Sequence, residues 1–490
     1  MDFISGENRN QILLLPDCVE DYVDDNNPVR VIEAYSNSLN LKALGFTKSK
    51  PNDTGPPMYD PKDLLKLYIY GYMNKVRSSR RLEVETKRNL EVIWLLRKLS
   101  PDHKTIARFR RDNSAALKNV FREFVKLCVE LKLYGKELIA IDSCKFKAVN
   151  SKDRNYNAKK LDDRIARIDA KIESYLNDLD NSDSEEDAAE NYKSPEEITQ
   201  IIKELSARKD LYESYVNELT QTGALQKSLT DSDSRLMMAN GKMDVCYNVQ
   251  TVVDAKNKLV AEFEVTNNAF DYNQITPMTE SAKNILEAET LTAIVDTGYD
   301  SVQDIVSAHQ QGFDVHVAGT DFDICVATDK TEEREIVSHK NGRCVYYADR
   351  NIVLCPMGKI LYPRFYKKQK GQGVFHNNKV CKQCANKCTK EARGRRYEVP
   401  MAESDFTKHY DDKGLFVKQI RITPDKELIK QRKSICEHPF GTIKRNMDAG
   451  YCLTKGLRNV SGEFSLTFLA YNLKRVINIL GVKRLIECVV

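Results

Sequence analysis

Two short apolar runs, each closed by an aspartate, constrain this chain more than any other feature. Leu138 to Ile141 ends at Asp142, and Leu291 to Val295 ends at Asp296. Runs of this kind read as buried strands of an α/β sheet with the acid at the carboxyl end, where such sheets place ligand-binding and catalytic groups. A carboxylate beside so apolar a strand is costly to bury unless it ligates something. For either acid alone a turn or capping aspartate is the alternative; the repeated context argues against that for both.

The flanking pattern supplies the rest of an α/β chain. Before Glu137 the apolar positions recur at helical spacing: two helices over 62 to 99 broken at Asn74 to Ser79, a helix His103 to Asn113 capped by Asp102, and a longer one from Ala115 to Leu133. After Asp142 come a second extended run, Lys145 to Val149, and a hairpin, Asp244 to Val253 with Leu259 to Val265. A helix over 273 to 287, a helix Ser301 to Gln311 and a strand Phe313 to Ala318 complete the set, and an amphipathic helix Ser465 to Leu480 packs against the sheet. Apolar residues at both ends of 158 to 222 predict an antiparallel helical hairpin bent at the acidic stretch Asp180 to Glu190. A third acid is expected on a helix beside the sheet: Glu437, within Lys433 to Asn446, has Lys444 two turns on along the same face, and Pro439 belongs to the first turn. Three carboxylates of this kind make an oxygen cage suited to Mg²⁺ or Mn²⁺ rather than Zn²⁺.

The net charge of +5 conceals a segregation. Residues 62 to 134 carry 18 basic against 8 acidic side chains, and 362 to 396 carry 11 against 1, whereas 158 to 222 carry 9 against 17. Two basic blocks separated by an acidic one predict two polyanion-contacting surfaces; solvated helix faces are the alternative for each. Cys355, Cys381, Cys384 and Cys388 fall in a C-x25-C-x2-C-x3-C pattern within the second basic block, a set that suits structural Zn²⁺, with Cys344 and His376 as alternate ligands. Free thiols are the alternative there. No apolar run approaches the ~18 residues that span a bilayer and no basic, apolar leader opens the chain, so a cytoplasmic protein is expected, with no membrane partner.

Several segments together resemble the DDE transposases of bacterial insertion sequences, most closely the insertion-sequence-1182 group. They are Tyr68 to Asn89, Pro101 to Asn113, Ala140 to Asn157, Thr230 to Leu236, Ala293 to Asp300, Ser434 to Arg445 and Gly462 to Arg475. The resemblance implies an RNase H-like catalytic core, a mixed sheet flanked by helices, with an N-terminal helical DNA-binding domain (1–134). The core would occupy 135–157 and 223–320, interrupted by the helical hairpin (158–222) and a basic Cys-rich, zinc-type insertion (321–430), and would close with 431–490. It further implies that Asp142, Asp296 and Glu437 form the catalytic, Mg²⁺-binding triad, with Glu463 a rival for the third place. Arg432 and Lys444 would be the basic residues around the glutamate. Relatives often carry an arginine four positions before the catalytic glutamate, where this chain has Lys433. A point charge there replaces a bidentate fork.

DNA is then the implied partner: terminal inverted repeats read by Arg80, Arg81, Lys104, Arg108, Arg110 and Arg111, and target DNA joined by a freed 3′-OH. A homodimer on DNA, acting at the nucleoid, follows from the need to hold two ends. Two further readings stand beside this one: a metal-dependent nuclease without strand transfer, and a non-catalytic DNA-binding regulator.

Overall fold

In the computed structural model the described residues are 18–48, 58–182, 194–239, 241–299, 311–318, 322–328, 333–339, 344–347, 351–355, 357–384, 394–406, 416–422 and 425–489, with a few positions between 301 and 308. The N-terminal part is helical: α1 (Val29–Ser38), α2 (Pro61–Met73), α3 (Ser79–Arg88), α4 (Leu90–Leu95), α5 (His103–Asp112) and α6 (Ser114–Glu130). Local chemistry sets the boundaries. Asp60 caps α2 by accepting from Lys62 N with Pro61 in the first turn, and Asp102 caps α5 by accepting from Lys104 N and Thr105 N. The segment expected to form two helices forms three, because the Asn89 side chain accepts from Glu91 N and Val92 N and starts α4 afresh.

The sheet begins with β1 (Leu138–Lys147), one strand where two were expected, so Asp142 lies within it rather than at its end. Then follow α7 (Ala158–Ser182) and α8 (Pro195–Thr222), packed on each other over a small core of Tyr156, Leu161, Ile168, Tyr212 and Leu219. Most of the expected bend lies outside the described residues. β2 (Lys242–Asp254), β3 (Val260–Thr266), α9 (Ile275–Leu286), β4 (Thr292–Val295) and β5 (Asp314–Val317) complete the strand set. Their spatial order is β3-β2-β1-β4-β5, with the strand Arg235–Ala239 beside the start of β2. β2 runs antiparallel to both neighbours, while β1, β4 and β5 are parallel.

Between residues 322 and 422 lie two small antiparallel sheets, one of three strands and one of five. The chain closes with α10 (Lys426–Gly441), a π-helical turn Thr442–Asn446, α11 (Leu457–Leu480) and α12 (Val482–Val489). The helix expected from Lys433 thus starts earlier, and Pro439 lies inside its last turn instead of its first. Proline has no N–H for the carbonyl four residues back, and the backbone widens directly after it into the π turn that carries Lys444. α11 packs against α2, α5 and α6 on one side and β3 on the other, so helices and sheet share one apolar core. Gly462 permits a close approach to the start of α6: a Cβ there would come within 2.9 Å of Ser114 Cα. Among the described residues no helix is long and apolar enough to cross a membrane.

Candidate active site and nucleic-acid interface

The parallel register of β1 and β4 brings two predicted acids together. Leu138 lies opposite Thr292 and Ala140 opposite Ile294; two residues further along each chain stand Asp142 and Asp296. Neighbouring strands are about 4.8 Å apart, so the two carboxylates project side by side from one face. Each has one oxygen fixed by a backbone amide: Ser143 N donates to Asp142 Oδ1 at 2.8 Å, and Gly298 N to Asp296 Oδ1 at 2.8 Å. Glycine suits position 298 because a Cβ would lie 2.9 Å from Asp296 Oδ1 and 3.5 Å from Asp271 Oδ2. Burial pushes Asp142 up to about 6; Arg432 opposes the rise, and Asp296 and Asp271 add to it.

Asp271, in the loop after β3, escaped sequence reasoning. Lys145 Nζ lies 3.1 Å from Asp271 Oδ2, and Asn248 Nδ2 and Gln250 Nε2 each donate to Oδ1 at 2.7 Å. Gln250 also accepts from the buried Tyr299 hydroxyl, whose pKa burial and the neighbouring acids hold well above the ordinary value. The available signal was a polar pair, Asn248 and Gln250, at alternate positions of the mostly apolar stretch Val245 to Val253.

α10 packs on β1 and β4 and supplies the remaining groups. Arg432 Nη1 stands 3.5 Å from Asp142 Oδ2, so this arginine faces the first aspartate rather than the glutamate. Glu437 is exposed and pairs with Lys433 one turn away, at 3.7 Å. The buried Cys436 thiol is pushed up by burial first and then by Asp142, with Arg432 opposing and Asp296 and Glu437 adding smaller contributions. Lys444 Nζ sits 5.1 Å from the centre of the Phe146 ring. Among the described residues no three His, Cys, Asp or Glu side chains form a ready metal cage. Glu463, the rival for the third place, is buried against Arg77 at 3.2 Å and accepts from Leu453 N, Thr454 N and the Thr454 hydroxyl.

On the helical part, α3 and α5 pack together and expose Arg80, Arg81, Lys104, Arg108 and Arg111. Arg110, expected among them, is buried: it donates to the Tyr72 hydroxyl at 2.9 Å and stacks over Tyr68. Helical periodicity turns it inward while its neighbour Arg111 faces out. In the insertion, Cys355 and Cys344 are buried in a core with Val353, Leu361, Phe375 and Val399, and Cys381 packs at its edge. Gly358 N donates to Cys355 O at 2.9 Å and Lys359 N to Cys355 Sγ at 3.3 Å, a tight turn folded back on the sulfur. Cys384 is half-buried; Cys388 lies outside the described residues.

Two family models match the chain. Residues 17–112 match a Transposase domain (DUF772), and residues 354–477 match a Transposase DDE domain. The first match covers α1 to α5, and the second covers Cys355, Cys381, Cys384, Arg432, Glu437 and most of α11, so both support a transposase of the DDE kind. No curated protein matches the chain.

Proposed function

From these two matches and the carboxylate geometry, we propose that the chain is a DNA transposase with an RNase H-like core. Asp142, Asp296 and Glu437 are its catalytic acids. The observation that carries this reading is the parallel register of β1 and β4, which, continued two residues past Ala140 and Ile294, sets Asp142 beside Asp296, with Asp142 raised to about 6. Carboxylates crowded in this way favour a bound cation, and oxygen donors favour Mg²⁺ or Mn²⁺. The strand order, an antiparallel run β3-β2-β1 continued by a parallel run β1-β4-β5, supports the RNase H-like assignment. Asp142 and Asp296 would hold a divalent ion, and Glu437 would join them on leaving Lys433. When bound, such an ion supplies charge stabilisation for an in-line phosphoryl displacement.

The chain's own groups do the positioning. Ser143 N and Gly298 N orient the two aspartates, Arg432 restrains Asp142, and Lys433 and Lys444 offer cations to a phosphate. The exposed face of α3 and α5 binds the terminal inverted repeats of an insertion sequence, most similar to the 1182 group, and two chains hold the two ends. Cys355, Cys381, Cys384 and Cys388 staple the basic insertion with Zn²⁺; zinc content near one per chain, lost in Cys381→Ser, tests this.

The decisive assay incubates the full chain with Mg²⁺ and DNA bearing the ends that flank its coding sequence, and scores both end cleavage and joining of a 3′-OH to target. Wild type performs both, and Asp142→Asn and Asp296→Asn perform neither. Cleavage without joining would point to a nuclease. Unchanged activity in Asp142→Asn would remove the catalytic reading altogether and leave a DNA-binding regulator.

A further inference from the structure

The loop from β3 to α9 holds Phe270, Asp271 and Tyr272 in succession. Asp271 is fixed inward by Lys145, Asn248 and Gln250 and acts electrostatically on Asp142. With that residue pinned, both neighbours turn out: Phe270 is 69% exposed and Tyr272 45% exposed. Their rings lie against each other, centroids 5.7 Å apart and planes 17° from parallel. Consecutive Cα atoms are only about 3.8 Å apart, so this aromatic pair stands at the edge of the acidic site.

We propose that Phe270 and Tyr272 form a stacking platform for an unpaired nucleobase of the DNA strand whose phosphate lies at Asp142 and Asp296. The proposal rests on the transposase reading above. Large rings left in water beside a site for phosphodiester chemistry match one feature of that substrate, the flat face of a base. In a duplex each base face is covered by its neighbours, so a protein ring gains full contact only where a base has left the stack. Stacking is indifferent to base identity, which suits a site that must accept whatever nucleotide follows the scissile phosphate. The loop also prearranges the platform, because Asp271 anchors it through Lys145 to β1, the strand that carries Asp142, and through Asn248 and Gln250 to the adjacent β2.

The test uses the full chain, EDTA to prevent cutting, and two probes: a blunt duplex, and a duplex with a single-stranded arm carrying 2-aminopurine at the junction. Wild type quenches the 2-aminopurine fluorescence. In Phe270→Ala with Tyr272→Ala the quench disappears and the ratio of arm affinity to duplex affinity falls about 5- to 150-fold, the range that one stacked base supports. Phe270→Trp keeps the quench. Phe270→Leu, apolar but without a π face, loses it. A wild-type chain that binds the armed probe without quenching, or a Leu variant that quenches like wild type, overturns the platform and leaves the transposase reading standing. Failure to bind either DNA overturns both.

Discussion

Replacing Asp142 by asparagine probes the electrostatics of the site before any DNA is added. Burial lifts this carboxyl from an ordinary 3.8 to about 6, with Arg432 opposing and Asp296 and Asp271 contributing. At about 1.36 kcal/mol per pH unit, keeping the group ionised in the folded chain costs about 3 kcal/mol. The sign follows from the raised folded value. Below about pH 4 the group is protonated folded and unfolded, and its full contribution is present; between about pH 4 and about pH 6 that contribution is lost, and above pH 6 the loss is complete. Asparagine keeps the shape and removes the charge. In metal-free buffer near pH 7.5 Asp142→Asn should therefore exceed wild type by roughly 1 to 3 kcal/mol, the lower figure allowing for solvent screening at a side chain 20% exposed, and the two should converge near pH 4. At about 2–4 °C per kcal/mol for a core of this size, circular-dichroism melts resolve the difference. Mg²⁺ or Mn²⁺ should then raise the wild-type transition and barely move the variant's. A variant less stable than wild type near pH 7.5, or a gap undiminished at pH 4, refutes the claim that the crowded charge destabilises the empty site.

The two candidate third acids separate by opposite signatures. Glu463→Ala strands the buried Arg77 and should cost about 3–5 kcal/mol in melting experiments, whereas Glu437→Gln, on an exposed side chain, should cost under about 0.5 kcal/mol and abolish end cleavage. On α5, Arg111→Ala should weaken duplex binding and lower the slope of log affinity against log salt by about 1; Arg110→Ala should instead lower the melting temperature. Removing the opposing cation with Arg432→Met should raise the Asp142 pKa further, so the midpoint pH for Mn²⁺-induced stabilisation moves up from the wild-type value.

Much of this architecture was legible because periodicity and capping act locally. Asp102 announced α5, and the apolar runs at 138 and 291 announced β1 and β4. What escaped depended on partners distant in sequence. Arg110 belongs to the same basic cluster as Arg108 and Arg111, and only Tyr68 and Tyr72, nearly forty residues away, turn it into a core residue. The sequence pattern sets the C-terminal helix Ser465 to Leu480 against the sheet and leaves Asn472, Lys474 and Arg475 to solvent, with DNA as the alternative. In the structure Asn472 is buried and bonds both N and O of Val260, Lys474 donates to Met73 O, and Arg475 donates to Asn257 O.

Asp271 carries the same lesson into the site itself. A motif of apolar strand plus acid finds carboxylates that a strand delivers, and it is blind to one delivered by a loop. Yet Asp271 acts on Asp142 through space while Glu437 faces Lys433, so before any cation binds the nearest acidic influences on Asp142 are Asp296 and Asp271. Lys145 at 3.1 Å neutralises Asp271, and Asn248 and Gln250 saturate one of its oxygens. A carboxylate so fully engaged is a poor metal donor and a good anchor. Its removal should therefore loosen the loop of Phe270 and Tyr272 while leaving Asp142 and Asp296 in register. Asp271→Asn keeps the shape and loses the ion pair with Lys145. If stacking depends on this anchor, the variant should weaken 2-aminopurine quenching more than it weakens Mn²⁺-induced stabilisation; the reverse order would make Asp271 a ligand instead.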